Sequence, residues 1–372
     1  MTDVPEPVTD LAEESVSGPR PGIGVAVSGG GYRAMLFHLG AFLRLFELGT
    51  LKQCARISSV SGGSITCAKI ALEWRHLATR DDFLARVVDP IRAMAEITID
   101  VSAVLEGLIL PGGVSRRVSR AYRKHLFGDA TLQDLPDDIR FVINATNLET
   151  GKLWRFSKPY MADYTLGMVD NPKTLLADAV TASSAFPPVL SPFELDVSEK
   201  DFSQKVPGLD PRLFNDIKLT DGGVYDNLGL ETVWKNYQTV LVSDAGVALA
   251  PDPDPPSDWA RLGLRVVDVI FGQIASVRTR EVIASYKAKE RTGGYWGIRT
   301  DIGNYQLPDA LPCPIERTTE LAATPTRLAA LEPAYQERLI NWGYAVCDAA
   351  MRKYYLPKDT PPKTAFPYPG GV

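Results

Sequence analysis

Apolar runs alternate with glycine-rich turns near the start of the chain. Residues 23–28 (IGVAVS) form a valine-rich apolar run that meets three glycines, and Met35, Leu39 and Phe42 then recur at helical spacing. A second apolar run (ARISSVS) and a second helical stretch (GGSITCAKIALEW) follow. This repeated strand–turn–helix order predicts a three-layer α/β/α fold with a mostly parallel central sheet and a helical C-terminal extension.

The rest of the chain alternates less regularly, and proline marks its breaks. The elements expected there are a helical stretch over 82–127, two strands around a turn at 149–151, a helix that stops at Pro187-Pro188, a loop over 196–216, and, after the proline-rich segment 251–256, helices near 257–290 and 324–355 with a strand near 294–299. The expected divisions are a flexible leader over 1–21, an α/β domain over 22–250, a mainly helical part packed on it over 251–356, and a proline-rich tail over 357–372.

Composition narrows the functional classes. The chain has 372 residues, of which 45% are apolar, and a net charge of −5, so it can bury a large core but lacks the basic balance of a bulk nucleic-acid binder. Its four cysteines form no CxxC pair, which favours free buried thiols in a reducing compartment. The acidic N-terminus does not resemble a secretory signal, and no apolar run is long enough to span a membrane. We therefore expect a cytoplasmic protein that meets a membrane only at its surface.

A candidate nucleophile lies in the motif SVSGG at 59–63, between the second strand and the second helix. A nucleophilic serine needs a tight, strained strand-to-helix turn with small neighbours. Ser59 and Gly63 flank Ser61 in this way, although Ser59 replaces the first glycine of the usual G-x-S-x-G pattern. The alternative is a glycine-rich turn without chemistry.

The histidines bear on which base could serve this serine. The chain has three, all before position 126: His38, His76 and His125. A triad in the order Ser, Asp or Glu, His is therefore impossible. We expect His38 to be packed inside the first helix and the other two to be surface groups. Asp221, followed by Gly222 and Gly223, is the remaining candidate base.

An aspartate base needs a water-poor site and strong stabilisation of the developing oxyanion, because its ordinary pKa is low. The turn SGGGYR at 28–33 could supply this: Gly30 and Gly31 would offer backbone N–H donors at a helix start, and Arg33 a positive charge. The alternative is a nucleotide-binding turn, since the segment also fits G-x-G-x-x-A. The second strand, however, does not end in the acid that such a site requires.

Together, the three motifs resemble the patatin-like phospholipase family over about residues 22–235, with softer matches in NATNLETG, SSAFPPVLSP and TDGGVYDNLGLE. The resemblance implies hydrolysis of phospholipid esters through an acyl-enzyme by a Ser–Asp dyad, with no metal and no cofactor. It assigns these roles: Ser61 nucleophile, Asp221 general base, Gly29, Gly30, Gly31 and Arg33 oxyanion turn, Ser59 and Gly63 nucleophile elbow, Gly222 and Gly223 acid turn. The departures are Ser59 and Ala34, where the family has glycine.

Lipid contact is expected after the second helix. The apolar stretch 97–114 precedes a basic cluster made of Arg116, Arg117, Arg120, Arg123 and Lys124. This arrangement predicts either an apolar lid beside a cationic patch for phosphates, or an ordinary packed helix with a solvated basic face.

The partners implied are membrane phospholipids at the bilayer surface. Some bacterial members of the family are antiphage effectors, so a cyclic-oligonucleotide activator bound by the basic cluster is a further hypothesis. The sequence leaves self-assembly into a homo-oligomer open. A non-catalytic ligand-binding or scaffold protein on the same fold is the alternative to the enzyme.

Overall fold

The structure is a computed structural model that describes residues 18–99, 113–246, 249, 251–363 and 365–372. Most of the expected leader (1–21) and most of the expected apolar lid (97–114) lie outside the described residues. The strands, in chain order, are β1 Arg20–Val27, β2 Cys54–Val60, β3 Arg140–Asn147, β4 Lys152–Phe156, β5 Tyr160–Asp163, β6 Gly167–Asp170, β7 Phe193–Leu195, β8 Gln204–Lys205, β9 Ile217–Asp221, β10 Tyr237–Asp244 and β11 Thr292–Gly297.

The helices follow the strands as the glycine turns predict. They are α1 Gly31–Glu47, α2 Gly62–Glu73, α3 Arg80–Phe83, α4 Asp89–Ala95, α5 Gly113–Tyr122, α6 Leu176–Ser183, α7 Gly223–Asp226, α8 Glu231–Trp234, α9 Trp259–Ala288, α10 Ile315–Ala322 and α11 Pro333–Tyr354. Wider π-helical turns join α3 to α4 and extend α5 to Phe127.

The core of the sheet is parallel, in the order β11-β10-β1-β2-β3, and β4, β5, β6 and β8 extend it in antiparallel fashion. Alternate residues of a strand face opposite sides of a sheet. Val25 and Val27 accordingly join a large apolar core that includes residues of α1, α2 and α11, whereas Ala26 joins a smaller core with residues of α8 and α9. The predicted three-layer α/β/α fold is confirmed.

Two glycines bring α1 and α11 into backbone contact. A Cβ on Gly40 would lie 1.9 Å from the carbonyl oxygen of Ile340, and one on Gly343 would lie 1.8 Å from that of Phe37. The C-terminal helix therefore packs directly on the first helix of the α/β domain. The tail after α11 also packs there, because the Asn341 side chain donates to the carbonyl oxygens of Tyr368 and Gly371.

Two strands meet along one edge of β3, and this meeting positions the candidate site. The first half of β3 pairs with β2, whose last residue Val60 lies opposite Asn144. The second half pairs with β9, which runs in the opposite direction and ends with Asp221 opposite Ala145. The residue after β2 and the last residue of β9 are thereby brought next to each other.

Two expectations about element boundaries were wrong. The final helix does not span 324–355 but begins at Pro333, because a proline fits only the first turn of a helix and the residue before it avoids helical geometry. The helix before Pro187-Pro188 already ends at Ser183. In the described part of the chain, no helix has the length and apolar character needed to cross a bilayer.

Candidate active site

Ser61 occupies a strained turn between β2 and α2. Its backbone angles, φ 51° and ψ −121°, are rare for a residue other than glycine and are typical of a nucleophile presented on a sharp strand-to-helix turn. The turn is tight because it packs on the glycine turn before α1: a Cβ on Gly62 would lie 2.1 Å from the carbonyl oxygen of Gly31. A Cβ on Gly63 would lie 2.5 Å from the carbonyl oxygen of Ser28. Ser61 itself is 5% exposed.

A chain of serine hydroxyls lies beneath this turn. The Ser61 amide donates to Ser183 Oγ at 2.9 Å, Ser183 Oγ lies 2.9 Å from Ser64 Oγ, and the Ser64 hydroxyl donates to Ser59 Oγ at 3.0 Å. Because the single hydroxyl proton of Ser64 goes to Ser59, Ser183 is the donor to Ser64. Ser59 closes the chain on the carbonyl oxygen of Val142. The serine that replaces glycine at position 59 therefore has a defined structural partner on each side.

Asp221 is almost completely buried at the end of β9, with 3% exposure. The Gly223 amide donates to its Oδ1 at 2.7 Å. Burial raises the pKa of the Asp221 carboxyl from 3.8 to about 6, although the hydrogen bonds from the Gly223 amide and the Ser61 hydroxyl act in the opposite direction. Asp221 is thus a stronger base than an exposed aspartate and is still mostly ionised at neutral pH.

One short segment holds the backbone of both candidate dyad residues. Ser183 accepts from the Ser61 amide through its hydroxyl and from the Gly222 amide through its carbonyl oxygen, the latter at 3.2 Å. The Asp221 amide donates to the carbonyl oxygen of Ala185 at 3.0 Å. Residues 183–185 therefore fix the nucleophile turn and the acid turn relative to each other.

The glycine turn before α1 presents backbone N–H groups at a helix start. Gly30 and Gly31 have φ of 141° and 60°, which only glycine adopts readily, and α1 begins at Gly31. Neither of their amides donates a hydrogen bond to any described residue. The Gly29 amide, in contrast, donates to the carbonyl oxygen of Asn227 at 3.0 Å. The Gly29 N–H group is therefore used within the turn, and Gly30 and Gly31 remain the candidate oxyanion donors.

Arg33 is held beneath the glycine turn by backbone carbonyl groups. Its guanidinium is fully buried and donates twice to the carbonyl oxygen of Ala245, at 3.1 and 2.9 Å, once to that of Thr324, and at 3.1 Å to Thr326 Oγ1. Burial lowers the pKa of Arg33 to about 10, so it remains charged near neutral pH. Arg33 therefore connects the segment before α11 to the end of β10 beneath the glycine turn. Its N–H groups donate to the carbonyl oxygens of Ala245 and Thr324.

The histidines lie where the sequence suggested. His38 is completely buried in α1, where Nδ1 lies 2.8 Å from Ser243 Oγ and Nε2 lies 3.0 Å from the carbonyl oxygen of Ser28. Burial lowers its pKa to about 3. His76 and His125 are exposed. In the described structure His38 bonds to residues at the base of the glycine turn and is neutral, so it supports the turn without supplying a proton acceptor for Ser61.

An apolar cavity of about 260 Å³ adjoins the acid turn. Thr220 and Val224, on either side of the DGG motif, form its floor together with Leu148 and Pro187, and α9 supplies its outer wall through Ile270 and Phe271. A larger cavity of about 700 Å³ lies between α1 and the C-terminal tail, and none of the candidate site residues lines it. Ser61 and Asp221 do not line the smaller cavity either, but its lining residues Thr220 and Val224 lie immediately before and after the segment 221–223.

The basic cluster lies on the surface, apart from the buried dyad. Arg116, Arg120, Arg123 and Lys124 are exposed and Arg117 is half-buried. Arg123 pairs with Asp129. The other face of α5 packs inward, and Ser119 donates to Asp178 Oδ1 on α6 at 2.5 Å. The structure therefore has the packed helix with a basic outer face, and it does not bring these cations together with Ser61.

Sequence reasoning missed the residues that hold the site without reacting. Ser183 and Asn144 carry no chemical motif of their own, and Asn144 acts by donating through Nδ2 to Ser58 Oγ and to the carbonyl oxygen of Ser59, both at 2.9 Å. Asn227 receives the Gly29 amide. Their place in the sequence could have identified them, since Asn144, Ser183 and Asn227 lie in the blocks NATNLETG, SSAFPPVLSP and TDGGVYDNLGLE that resemble the family.

Comparison with known protein families identifies the family of this chain. The sequence model of the patatin-like phospholipases matches residues 25–234, more than half of the chain, and includes both Ser61 and Asp221. The chain belongs to the patatin-like phospholipase family. No curated protein sequence gives a significant match.

Two solved structures share the fold at low sequence identity. Human GIVD cytosolic phospholipase A2 is similar with a TM-score of 0.51 and 13% identity, over 87% of this chain and 60% of that one. The same enzyme in complex with methyl gamma-linolenyl fluorophosphonate gives a TM-score of 0.53 and 14% identity, over 88% of this chain and 57% of that one. VipD from Legionella pneumophila gives a TM-score of 0.34 and 14% identity, over 89% of this chain and 66% of that one. This TM-score is too low to support an argument. This patatin-like chain spans about three fifths of the length of the phospholipase A2 chains.

Proposed function

We propose that this patatin-like protein hydrolyses carboxylic ester bonds of membrane phospholipids, with Ser61 as nucleophile and Asp221 as general base. The observation that carries the proposal is the meeting of the two side chains at the ends of β2 and β9, where both are nearly buried and the carboxyl has a raised pKa. A serine hydroxyl beside a water-shielded carboxylate is the arrangement a histidine-free esterase needs.

In the first half of the reaction Ser61 Oγ attacks the ester carbonyl carbon while its proton passes to Asp221. The negative charge that develops on the carbonyl oxygen is stabilised by the amides of Gly30 and Gly31 and by the positive end of α1. When the C–O bond breaks, Asp221 returns the proton to the leaving alcohol. The acyl group remains bonded to Ser61 Oγ.

In the second half Asp221 takes a proton from a water molecule that attacks the acyl-enzyme. The same donors stabilise the second oxyanion, the fatty acid leaves, and Ser61 regains its proton. The raised pKa of Asp221 favours both proton transfers, because a base whose pKa lies nearer the working pH accepts a proton more readily and still releases it.

The lipid nature of the substrate is supported by the cavity beside the acid turn. Its lining is almost entirely apolar, and it adjoins Asp221 through Thr220. A chain of methylene groups gains about 0.8 kcal/mol for each CH₂ that leaves water, so such a cavity favours an acyl chain over a polar substrate. Peripheral action at a bilayer surface follows from this assignment.

The proposal is tested by comparing wild type with Ser61→Ala and Asp221→Ala on phospholipid vesicles, with lipid products identified by mass spectrometry. Both variants should lose ester cleavage, whereas Ser157→Ala, which changes another buried serine outside the site, should retain it. A fluorophosphonate should label wild type and not Ser61→Ala. Retained cleavage in either dyad variant would show that the dyad is misassigned, and an unlabelled wild type would favour the non-catalytic scaffold.

Control by an anionic activator is a second, separate proposal. The exposed cations Arg116, Arg120 and Lys124 offer a surface for phosphates, and the family resemblance suggests a cyclic oligonucleotide as activator. Calorimetric titration with a panel of cyclic dinucleotides should give heat and should raise vesicle hydrolysis. Absence of both for every member of the panel would exclude it.

A further inference from the structure

The N-terminal half of α9 exposes apolar side chains. Trp259 is 87% exposed and Ile270 is 50% exposed. The exposed large apolar residues of this helix are Trp259, Leu262, Val266, Val267, Val269, Ile270 and Val277. The C-terminal half joins the smaller apolar core through Val282 and Tyr286. Isolated exposed apolar residues are ordinary, but a contiguous set along one helix marks an interaction surface.

This exposed set is continuous with the cavity beside the dyad. Val267, Ile270 and Phe271 line the cavity from α9, and Phe271 packs edge-to-face on Phe186, with ring centroids 6.4 Å apart. Two more exposed apolar side chains belong to neighbouring segments: Leu148, which lines the cavity and is 50% exposed, and Val189, which is 45% exposed and lies between the lining residues Pro187 and Ser191 in the sequence. We call the exposed apolar residues of α9 together with Leu148 and Val189 the docking surface.

Positive charge lies beside the docking surface. Ser115 Oγ donates to the carbonyl oxygen of Pro192 at 3.2 Å, so α5 begins next to the loop that carries Val189. The exposed Arg116 and Arg120 follow on that helix. Cations flanking an apolar face are the pattern of a protein that lies on a bilayer with anionic headgroups, since the apolar side chains enter the acyl boundary and the cations meet phosphates.

We propose that the docking surface places the protein on a bilayer containing anionic phospholipid, with the mouth of the cavity facing the lipid. A bilayer is favoured over a second copy of the chain because a protein partner on this surface would cover the opening of the cavity. The inference rests on the proposed function only in giving the cavity an acyl chain to receive. It assigns the C-terminal extension the task of delivering substrate to Ser61.

The test uses the full chain carrying Ser61→Ala, so that binding is measured without hydrolysis. Sedimentation with vesicles of phosphatidylcholine and phosphatidylglycerol compares this chain with one that also carries Leu262→Glu and Val266→Glu. Neither residue lines the cavity. Loss of two apolar contacts should lower the partition coefficient by about tenfold or more. Ile315→Glu on α10 is the matched control, because Ile315 and Leu262 are each 41% exposed, and it should bind as its parent does.

Several outcomes would overturn the inference. Undiminished vesicle binding by the double variant, or an equal loss in the Ile315→Glu control, would contradict it. A change of oligomeric state in the double variant, measured by light scattering, with unchanged vesicle binding would assign the surface to a second copy. Equal binding of the parent to vesicles of phosphatidylcholine alone would refute the part given to Arg116 and Arg120. Fluorophosphonate labelling of chains with intact Ser61 reports on the dyad separately, so failure of docking and failure of the proposed function are distinguishable.

Discussion

Replacing Asp221 with asparagine should stabilise the folded protein while abolishing ester hydrolysis. The substitution keeps the size of the side chain and an oxygen that can accept from the Gly223 amide. It removes the negative charge that is buried at the end of β9. A buried charge without a compensating cation costs folding free energy, and a base that cannot take a proton cannot activate Ser61.

The size of the effect follows from the pKa of Asp221. The folded protein holds the proton of this carboxyl more tightly than the unfolded chain does, since the pKa rises from 3.8 to about 6. At about 1.4 kcal/mol for each pKa unit, the ionised carboxylate lowers the free energy of unfolding by roughly 3 kcal/mol. The stability of wild type associated with this group is complete below about pH 4 and is lost as the pH rises through about 6. The advantage of asparagine should therefore be near its maximum above about pH 7 and vanish near pH 4.

Urea unfolding of wild type and Asp221→Asn near pH 8 and near pH 4, followed by tryptophan fluorescence, measures this difference directly. The midpoint of Asp221→Asn should exceed that of wild type near pH 8 and coincide with it near pH 4. Equal midpoints near pH 8, or a gain that does not depend on pH, would show that Asp221 carries no destabilising charge. The assignment of Asp221 as a buried base would then fail as well.

Three other predictions concern the same site. The kcat/KM of wild type should fall about tenfold for each pH unit below about 6, because protonated Asp221 cannot accept the Ser61 proton, and a stopped pH profile measures this. Ser183→Ala leaves the buried Ser61 amide without its acceptor and should lower the free energy of unfolding by about 1–3 kcal/mol, with a fall in kcat. Gly62→Ala places a methyl group 2.1 Å from the carbonyl oxygen of Gly31 and should reduce kcat at least about a hundredfold, measured on a short-chain ester.

Each of these has a control of the same chemical kind. If kcat/KM began to fall only below about pH 4, and not below about pH 6, the base would be an ordinary exposed carboxyl. Ser157→Ala also removes a buried hydroxyl, which donates to the carbonyl oxygen of Tyr160, and it should affect stability without lowering kcat. An alanine at Gly370 meets no atom within 4 Å, so Gly370→Ala should behave as wild type. A Gly62→Ala protein as active as Gly370→Ala would show that the turn tolerates displacement.

The sequence predicted the first two strands of the parallel core well, because the apolar runs of β1 and β2 are each followed closely by glycines and a helical pattern. β5 and β6 were not anticipated, since four-residue strands such as Tyr160–Asp163 are too short to show a period. The start of the last helix was misplaced across Pro325 and Pro333, although both prolines limit where a helix can begin. The local pattern of apolar residues therefore predicted the three layers. It did not predict the antiparallel strands at the edge of the sheet, because their pairing depends on tertiary structure.

For the candidate site, too, the sequence predicted some features and not others. Ser61 and Asp221 could be named because each lies in a motif with a chemical reason for its small neighbours, and their assignment as a dyad stays a prediction. The positive charge of Arg33 was predicted, but its contacts were not, because nothing local in the sequence shows that Ala245 and Thr324 would reach its guanidinium. Ser183 joins the two turns although it is 122 residues from Ser61 along the chain, so its importance is visible only in the folded structure.

The end-to-end meeting of β2 and β9 along β3 makes activity a reporter of strand register. Successive strand residues advance by about 3.3 Å and face opposite sides of the sheet, so a slip of β9 by one position would both displace the carboxylate and turn it away from Ser61. During synthesis β1, β2 and β3 are made before β9. A chain interrupted between β3 and β9 would contain Ser61 but would lack Asp221, the candidate base, and the proposed dyad would form only after β9 had paired with β3.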